Sequence, residues 1–289
     1  MAELRRVGDT TDQLGEGPVW CPQEQAFYWV DITAPAVRRW HAGSGKNTSW
    51  TMPEPVGSLA LCASGGILVA LSSALSVFDP TTGAIKSVAA PHDDGADMRF
   101  NDGKCDRQGR FWVGTMTTGA RAPRGRLYRL DAKAGCEAVL DGITIPNGLC
   151  WSPDGRTMYF ADSVLHTIWA IPYDPATGAI GERRVFVRTD PSEAPDGGTV
   201  DEDGFVWSAR FGGARVVRHA PDGRVNRVIE VPARQVTSCA FGGADLSTLF
   251  ITSATFNMSP EQHAAQPLAG TLLAIDVGVR GLPEPRYAG

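Results

Sequence analysis

The stretch GLCWSPDGRTMY, Gly148–Tyr159, decides the reading of the fold. A small-residue turn opens into a short apolar run, the polar group Ser152-Pro153-Asp154-Gly155 reverses the chain, and an aromatic-bearing run follows. Pro and Asp initiate such turns and Gly accepts a positive φ, so the stretch predicts two antiparallel strands joined tightly. Outward from it, the same phrase recurs as GPVWCPQEQAFYW (Gly17–Trp29), GKCDRQGRFW (Gly103–Trp112) and GTVDEDGFVW (Gly198–Trp207), and more faintly from Gly57 and Ser238. These six anchors lie 40 to 50 residues apart. Between them, alternating apolar residues pass through a second glycine turn, at Gly83, Gly135, Gly178 and Gly223. Two hairpins per unit make a four-stranded sheet. Such sheets cannot bury their faces alone and pack radially, so the chain is expected to be all-β, a single six-bladed β-propeller domain over residues 1–289. No helical apolar period persists, and 33 Gly and 20 Pro would interrupt long helices. Ring closure is expected from Leu4–Val7, added as an outer strand beside 249–252 and 271–275.

Composition narrows the function. With 43% apolar residues, 20% charged residues and a net charge of −5, the 289-residue chain is core-forming, neither disordered nor a low-complexity polymer. An excess of Asp and Glu (32) over Lys and Arg (27), with the basic residues scattered, argues against a nucleic-acid partner. Met1–Val7 has no apolar leader and the longest apolar run is Ile67–Leu71, so a cytoplasmic protein without membrane association is expected. Six dispersed cysteines without a CxxC pair read as buried free thiols. Val19, Cys105, Cys150 and Val200 share one slot two residues after their anchors, which marks core packing. Trp29, Trp112, Tyr159 and Trp207 recur in the second strand, where neighbouring blades need bulk. His41, His92, His166, His219 and His263 lie outside the anchor segments and read as surface or hairpin residues. There is no nucleophile elbow, HExxH, Walker loop or dinucleotide fingerprint.

If the innermost strands begin at the anchors, the residues at or just before them face the mouth of the central channel. Those residues are Glu16, Asn101 with Asp102, Asn147 and Asp196. Carboxylate and amide oxygens converging from several blades suit Ca²⁺, Mg²⁺ or Mn²⁺, and carboxylates also hold Zn²⁺ or Fe²⁺. Asp102-Gly103, Asn147-Gly148 and Asp196-Gly197-Gly198 equally serve as turn sequences, so spacing leaves both readings open.

The segments LGEGPVW (Leu14–Trp20), RFNDGKCD (Arg99–Asp106) with GTM (Gly114–Met116), PNGLCWSPDG (Pro146–Gly155), PDG (Pro195–Gly197) and TSCAFGG (Thr237–Gly243) closely resemble the regucalcin (senescence marker protein)/gluconolactonase family, in order and over essentially the whole chain. The resemblance implies a six-bladed propeller with one divalent metal ion in the channel, held by Glu16, Asn147 and Asp196. It implies that Arg99 and Asn101 hydrogen-bond the substrate and that Asp196 donates and accepts the proton. The implied activity is metal-dependent hydrolysis of a sugar aldonolactone, such as gluconolactone or xylonolactone, to the aldonic acid in oxidative sugar catabolism. The partner is then a small-molecule lactone, with no obligate protein partner, and the ion is one of Ca²⁺, Zn²⁺, Mn²⁺, Mg²⁺ or Fe²⁺. One departure stands out. Loop Thr117–Gly125 is short and lacks the sugar-touching Glu of the regucalcin branch, so sugar specificity does not carry across. The alternatives are a calcium-binding propeller without activity and a metal-dependent esterase or organophosphatase propeller. For Arg99 the competing role is a salt bridge to Asp97 or Asp102.

Overall fold

The predicted hairpins all form, with their turn glycines in the left-handed region, as at Gly83 (φ 78°) and Gly223 (φ 89°). The computed structural model describes residues 3–91, 97–119 and 121–289. It contains six four-stranded antiparallel sheets arranged as the blades of a propeller. The blades span residues 15–51, 56–89, 98–143, 146–188, 194–230 and 236–276, the last completed by Arg5–Val7. The innermost strands are Gly15–Cys21, Val56–Leu61, Met98–Cys105, Pro146–Trp151, Ala194–Val200 and Val236–Gly242, and each adjoins the next around the axis. They begin before the anchors rather than at them, because each carries a register slip beside its anchor.

Burial falls from the axis outward. Gly15–Cys21 and Val236–Gly242 are buried at every residue, whereas the outermost strands Ile85–Ala89 and Val225–Glu230 are largely exposed. Inner strands are covered on both faces by neighbouring blades, which is why they read as continuous apolar and small-residue runs. Val19, Cys105, Cys150 and Val200 are buried as expected. All six cysteines are free, five buried and Cys136 half-buried.

Trp29, Trp112 and Trp207 are fully buried, and their role exceeds bulk. Each indole Nε1–H donates to a buried carboxylate that also accepts from an arginine. The trios are Trp29–Asp12–Arg38, Trp112–Asp106–Arg110 and Trp207–Asp201–Arg218. Tyr159 packs its ring on Phe186 at 4.9 Å. The histidine expectation needs one correction. His41, His166 and His263 are partly exposed and His92 lies outside the described residues, but His219, though in a hairpin, is buried. Its Nε2 accepts from Arg210 at 2.6 Å and its Nδ1–H donates to Gly223 O at 3.0 Å. Arg210 is also buried, and the ring supplies the acceptor it needs.

Closure is double. Arg5–Val7 pairs antiparallel with Leu272–Asp276 as the outermost strand of the sixth blade, as expected. At the other end of the channel, residues 280–289 cross beneath the inner strands. Gly281 bridges Asp201, Tyr287 bridges Cys62, and Ala288 N donates to Gly109 O. Glu284 of this tail meets Lys104 at 3.3 Å. The one α-helix among the described residues, Pro260–Ala264, is capped by Ser259, and no helix there is long and apolar enough to cross a membrane.

Candidate metal and substrate site

All six innermost strands slip register at one level. The slips fall between Glu16 and Val19, Val56 and Leu59, Phe100 and Gly103, Asn147 and Cys150, Pro195 and Gly198, and Val236 and Ser238. A β-bulge leaves one residue unpaired and re-aims its side chain. Here Asn101, Asp102 and Asp196 lie within their bulges and Glu16 and Asn147 pair immediately before theirs, and all five are buried near the start of the strands. Space in this layer is tight. A Cβ on Gly57 would come within 2.5 Å of Phe100 O and 2.7 Å of Asn101 O, so the second blade contributes its backbone.

Glu16 and Asp196 lie within hydrogen-bond reach of each other. Burial, then the charge of Asp102, pushes Glu16 up to about 8. Burial, then Glu16, holds Asp196 well above the usual carboxylate range, and burial raises Asp102 as well. Two carboxylates this close need a proton or a cation between them. Four carboxylates (Glu16, Asp102, Asp196 and Glu284) face two cations (Arg99 and Lys104) within electrostatic reach, an excess of two negative charges. With all four ionised, a divalent cation would offset that difference where protons otherwise must, so the residues fit the ion the resemblance implied. Among the described residues no three His, Cys, Asp or Glu side chains converge as a metal centre. The candidate set is instead two carboxylates and the carboxamide of Asn147, a hard-oxygen group.

The amide of Asn147 is oriented from behind. Its Nδ2 donates to Ser163 Oγ at 2.8 Å, which leaves Oδ1 as the inward atom. Asp102 accepts from Leu149 N at 3.2 Å and so ties the third blade's bulge to the fourth's. Arg99 pairs with neither carboxylate of its competing role. Arg124 takes Asp97 at 2.7 Å, and the Nη1 of Arg99 donates to Phe100 O and Asn101 Oδ1, both at 2.8 Å. Burial pulls Arg99 down to about 10, while Glu16 and Asp196 act the other way, so it stays charged at neutral pH. Asn101 uses both donors of its Nδ2 within the protein, on Pro146 O at 2.9 Å and Asn147 Oδ1 at 3.1 Å. Its capacity toward a substrate is therefore a lone pair on Oδ1 and no N–H.

Residues 14–255 match the SMP-30/gluconolactonase/LRE-like family. The chain belongs to this family. Among curated relatives, 6-deoxy-6-sulfogluconolactonase of Pseudomonas putida is 40% identical over 280 residues, which are 96% of this chain and 95% of the relative. L-arabinolactonase of Azospirillum brasilense is 38% identical over 288 residues, 98% of this chain and 95% of the relative. The crystal structure of a calcium-binding protein, regucalcin, from Agrobacterium tumefaciens superposes with a TM-score of 0.95 at 32% identity, covering 100% of this chain and 98% of that one. In this SMP-30/gluconolactonase chain, the residues drawn from the resemblance occupy four blades. Arg99 and Asn101 lie on the third, Asn147 on the fourth and Asp196 on the fifth, with Glu16 on the first. Of the stretch 117–125, in which residue 120 lies outside the described residues, Thr118 N donates to Asp97 O at 2.7 Å and Arg124 pairs with Asp97 at the entry of the third blade.

Sequence reading missed two residues that support the site and one charged group beneath it. Thr237 occupies the sixth blade's slot just before the anchor Ser238, so register alone pointed to it. Ser163 follows the second strand of the fourth blade and carries no motif. Glu284 comes from the tail, far from every anchor, and only the folded chain brings it to Lys104.

Proposed function

We propose that this protein is a metal-dependent hydrolase of sugar aldonolactones, such as gluconolactone or xylonolactone, yielding the aldonic acid in oxidative sugar catabolism. The observation that carries the reading is one buried layer of bulged strands bearing Glu16, Asn147 and Asp196 with Arg99 beside them, in a chain whose curated relatives are named as sugar lactonases. Glu16, Asn147 and Asp196 would hold the divalent ion. When bound, such an ion supplies Lewis-acid stabilisation of negative charge on the carbonyl oxygen and makes water more acidic.

The chain's own groups account for the remaining steps. Both hydrogen bonds of Arg99 run through Nη1, which leaves Nη2 to orient a substrate oxygen. Asn101 holds Arg99 and Asn147 in register and offers one lone pair to a sugar hydroxyl. Asp196 takes the proton of the attacking water as the new C–O bond forms. It returns a proton to the ring oxygen as the ester bond breaks, which gives one carboxyl and one hydroxyl group. Burial raises the proton affinity of Asp196 and cation ligation lowers it; that opposition lets a carboxylate serve as acceptor near neutral pH.

A pH-stat assay on freshly dissolved gluconolactone, xylonolactone, arabinolactone and a 6-sulfonated gluconolactone tests the reading. The protein is stripped with chelator and reloaded with Ca²⁺, Mg²⁺, Mn²⁺, Zn²⁺ or Fe²⁺. Acceleration over the spontaneous rate that needs an added ion is the expected result. The similarity to a calcium-binding regucalcin supports a second reading, a propeller that holds the ion without turnover. Tight Ca²⁺ binding with no acceleration on any lactone would establish that one instead.

A further inference from the structure

The carbonyl just before each candidate cation ligand is pinned by a side chain of the preceding blade. Gly15 O, before Glu16 on the first blade, accepts from Thr237 Oγ1 on the sixth. Pro146 O, before Asn147 on the fourth blade, accepts from Asn101 Nδ2 on the third at 2.9 Å. Pro195 O, before Asp196 on the fifth blade, accepts from Ser163 Oγ on the fourth at 2.7 Å. Three ligands on three blades thus have three pins, all in the same rotational sense around the ring.

Ser163 acts on two ligands at once, because its Oγ also accepts from Asn147 Nδ2 at 2.8 Å. Its single hydroxyl proton goes to Pro195 O and its lone pair to Asn147, which fixes the amide with its oxygen inward. Thr237 is fully buried and lies 2.9 Å from Thr252 Oγ1, so its hydroxyl is held from behind. A bulge is the least regular part of a strand, and its ligand side chain keeps its aim only while the backbone just before it is fixed.

We propose that Ser163 and Thr237 are positioning residues of the cation site, acting on the ion through Asn147, Asp196 and Glu16 without touching it. The inference rests on the reading of that layer as a cation site. Partners that orient metal ligands from behind are typically worth about 10–100-fold in metal affinity.

The test uses the full chain, stripped with chelator and titrated with Mn²⁺ alone by calorimetry and by the electron paramagnetic resonance of free Mn²⁺. Ser163→Ala and Thr237→Val should weaken Mn²⁺ binding by roughly tenfold or more, and Thr237→Ser should restore most of it. Ser253→Ala is the control, because Ser253 is also buried but its hydroxyl donates to Thr271 O at 3.1 Å, a carbonyl that precedes no candidate ligand. The control should bind Mn²⁺ as the parent does, even where its unfolding temperature falls as far as theirs.

Parent-like Mn²⁺ affinity in both variants would overturn the positioning role and leave the cation reading intact. Equal weakening in Ser253→Ala would also overturn it, since loss would then track general loosening. A parent protein that binds no Mn²⁺ would overturn the cation reading and this inference together. Should Ser163→Ala fail to fold, the Thr237→Val and Thr237→Ser pair decides alone.

Discussion

A carboxylate buried beside another carboxylate opposes folding and serves function, and Asp196 shows the two effects separately. Its raised proton affinity, from burial and then from Glu16, means that the cation-free fold tolerates its charge poorly. Asp196→Asn should therefore leave the chelator-treated protein as stable as the parent or more so, while lowering lactone turnover by at least about 100-fold. Thermal unfolding in chelator and the pH-stat rate check the two halves, and a variant that lost both together would mark Asp196 as structural. At this scale the slot before each anchor was readable, since turn glycines and polar residues recur there at Glu16, Asn147 and Asp196. The donor pattern of Asn101 was not readable, because its partners Pro146 O and Asn147 Oδ1 are more than forty positions away.

Within the fifth blade, a neutral ring holds a buried cation. His219 accepts from Arg210, whose guanidinium also faces Glu193, and Arg215 pairs with the same Glu193 at 2.8 Å. Burial, reinforced by Arg210, lowers His219 from 6.5 to about 4. Between those values the unfolded chain binds the proton and the folded chain refuses it, so stability rises with pH across the window. The contribution is whole above about 6.5 and lost progressively as pH falls toward about 4, by up to ~3 kcal/mol. The raised carboxylates Asp12 and Glu16 slope the other way in this window, so the His219 share is read as the difference between parent and variant in denaturant unfolding from pH 7.5 to 4.5. His219→Gln, which keeps an acceptor for Arg210 but cannot titrate there, should lack that share, so the parent should lose more stability than the variant as pH falls. The hairpin was predictable from Gly223 and the alternation of Val216–His219. The burial of His219 was not, because the face it shares is decided by the preceding blade, whose Phe186 meets the ring edge-on at 6.2 Å.

The ring closes at two places with different loads. Arg5–Val7 covers the edge of Leu272–Asp276 at the periphery, whereas residues 280–289 span the far end of the channel and deliver Glu284 to the buried Lys104. Deleting residues 1–8 should lower the unfolding temperature by several degrees and leave lactonase activity at low temperature, because only an outer strand is lost. Truncation after Val279 should lower it further, since it strips Lys104 of its ion pair and opens the channel below the candidate site. Calorimetry of the two truncated chains ranks the losses. The opposite order would show that the outer strand, rather than the tail, holds the ring. The first closure was legible as a short apolar-ended strand at Leu4–Val7. The second was not, as 280–289 has neither alternation nor an anchor.

Local chemistry was enough for the blades: strand period, turn glycines and the interval between anchors are properties of neighbouring residues, and they determined six hairpin-paired sheets and the slots of Glu16, Asn147 and Asp196. Whatever depends on which blade stands beside which was decided only by the tertiary structure. That includes the common level of the six bulges, the excess of negative charge on the axis, the pins from Thr237 and Ser163, and the tail under the channel. The physical reason is that hydrogen bonds and fields between blades join residues far apart in the chain. Their strength depends on distances that exist only once the ring has closed.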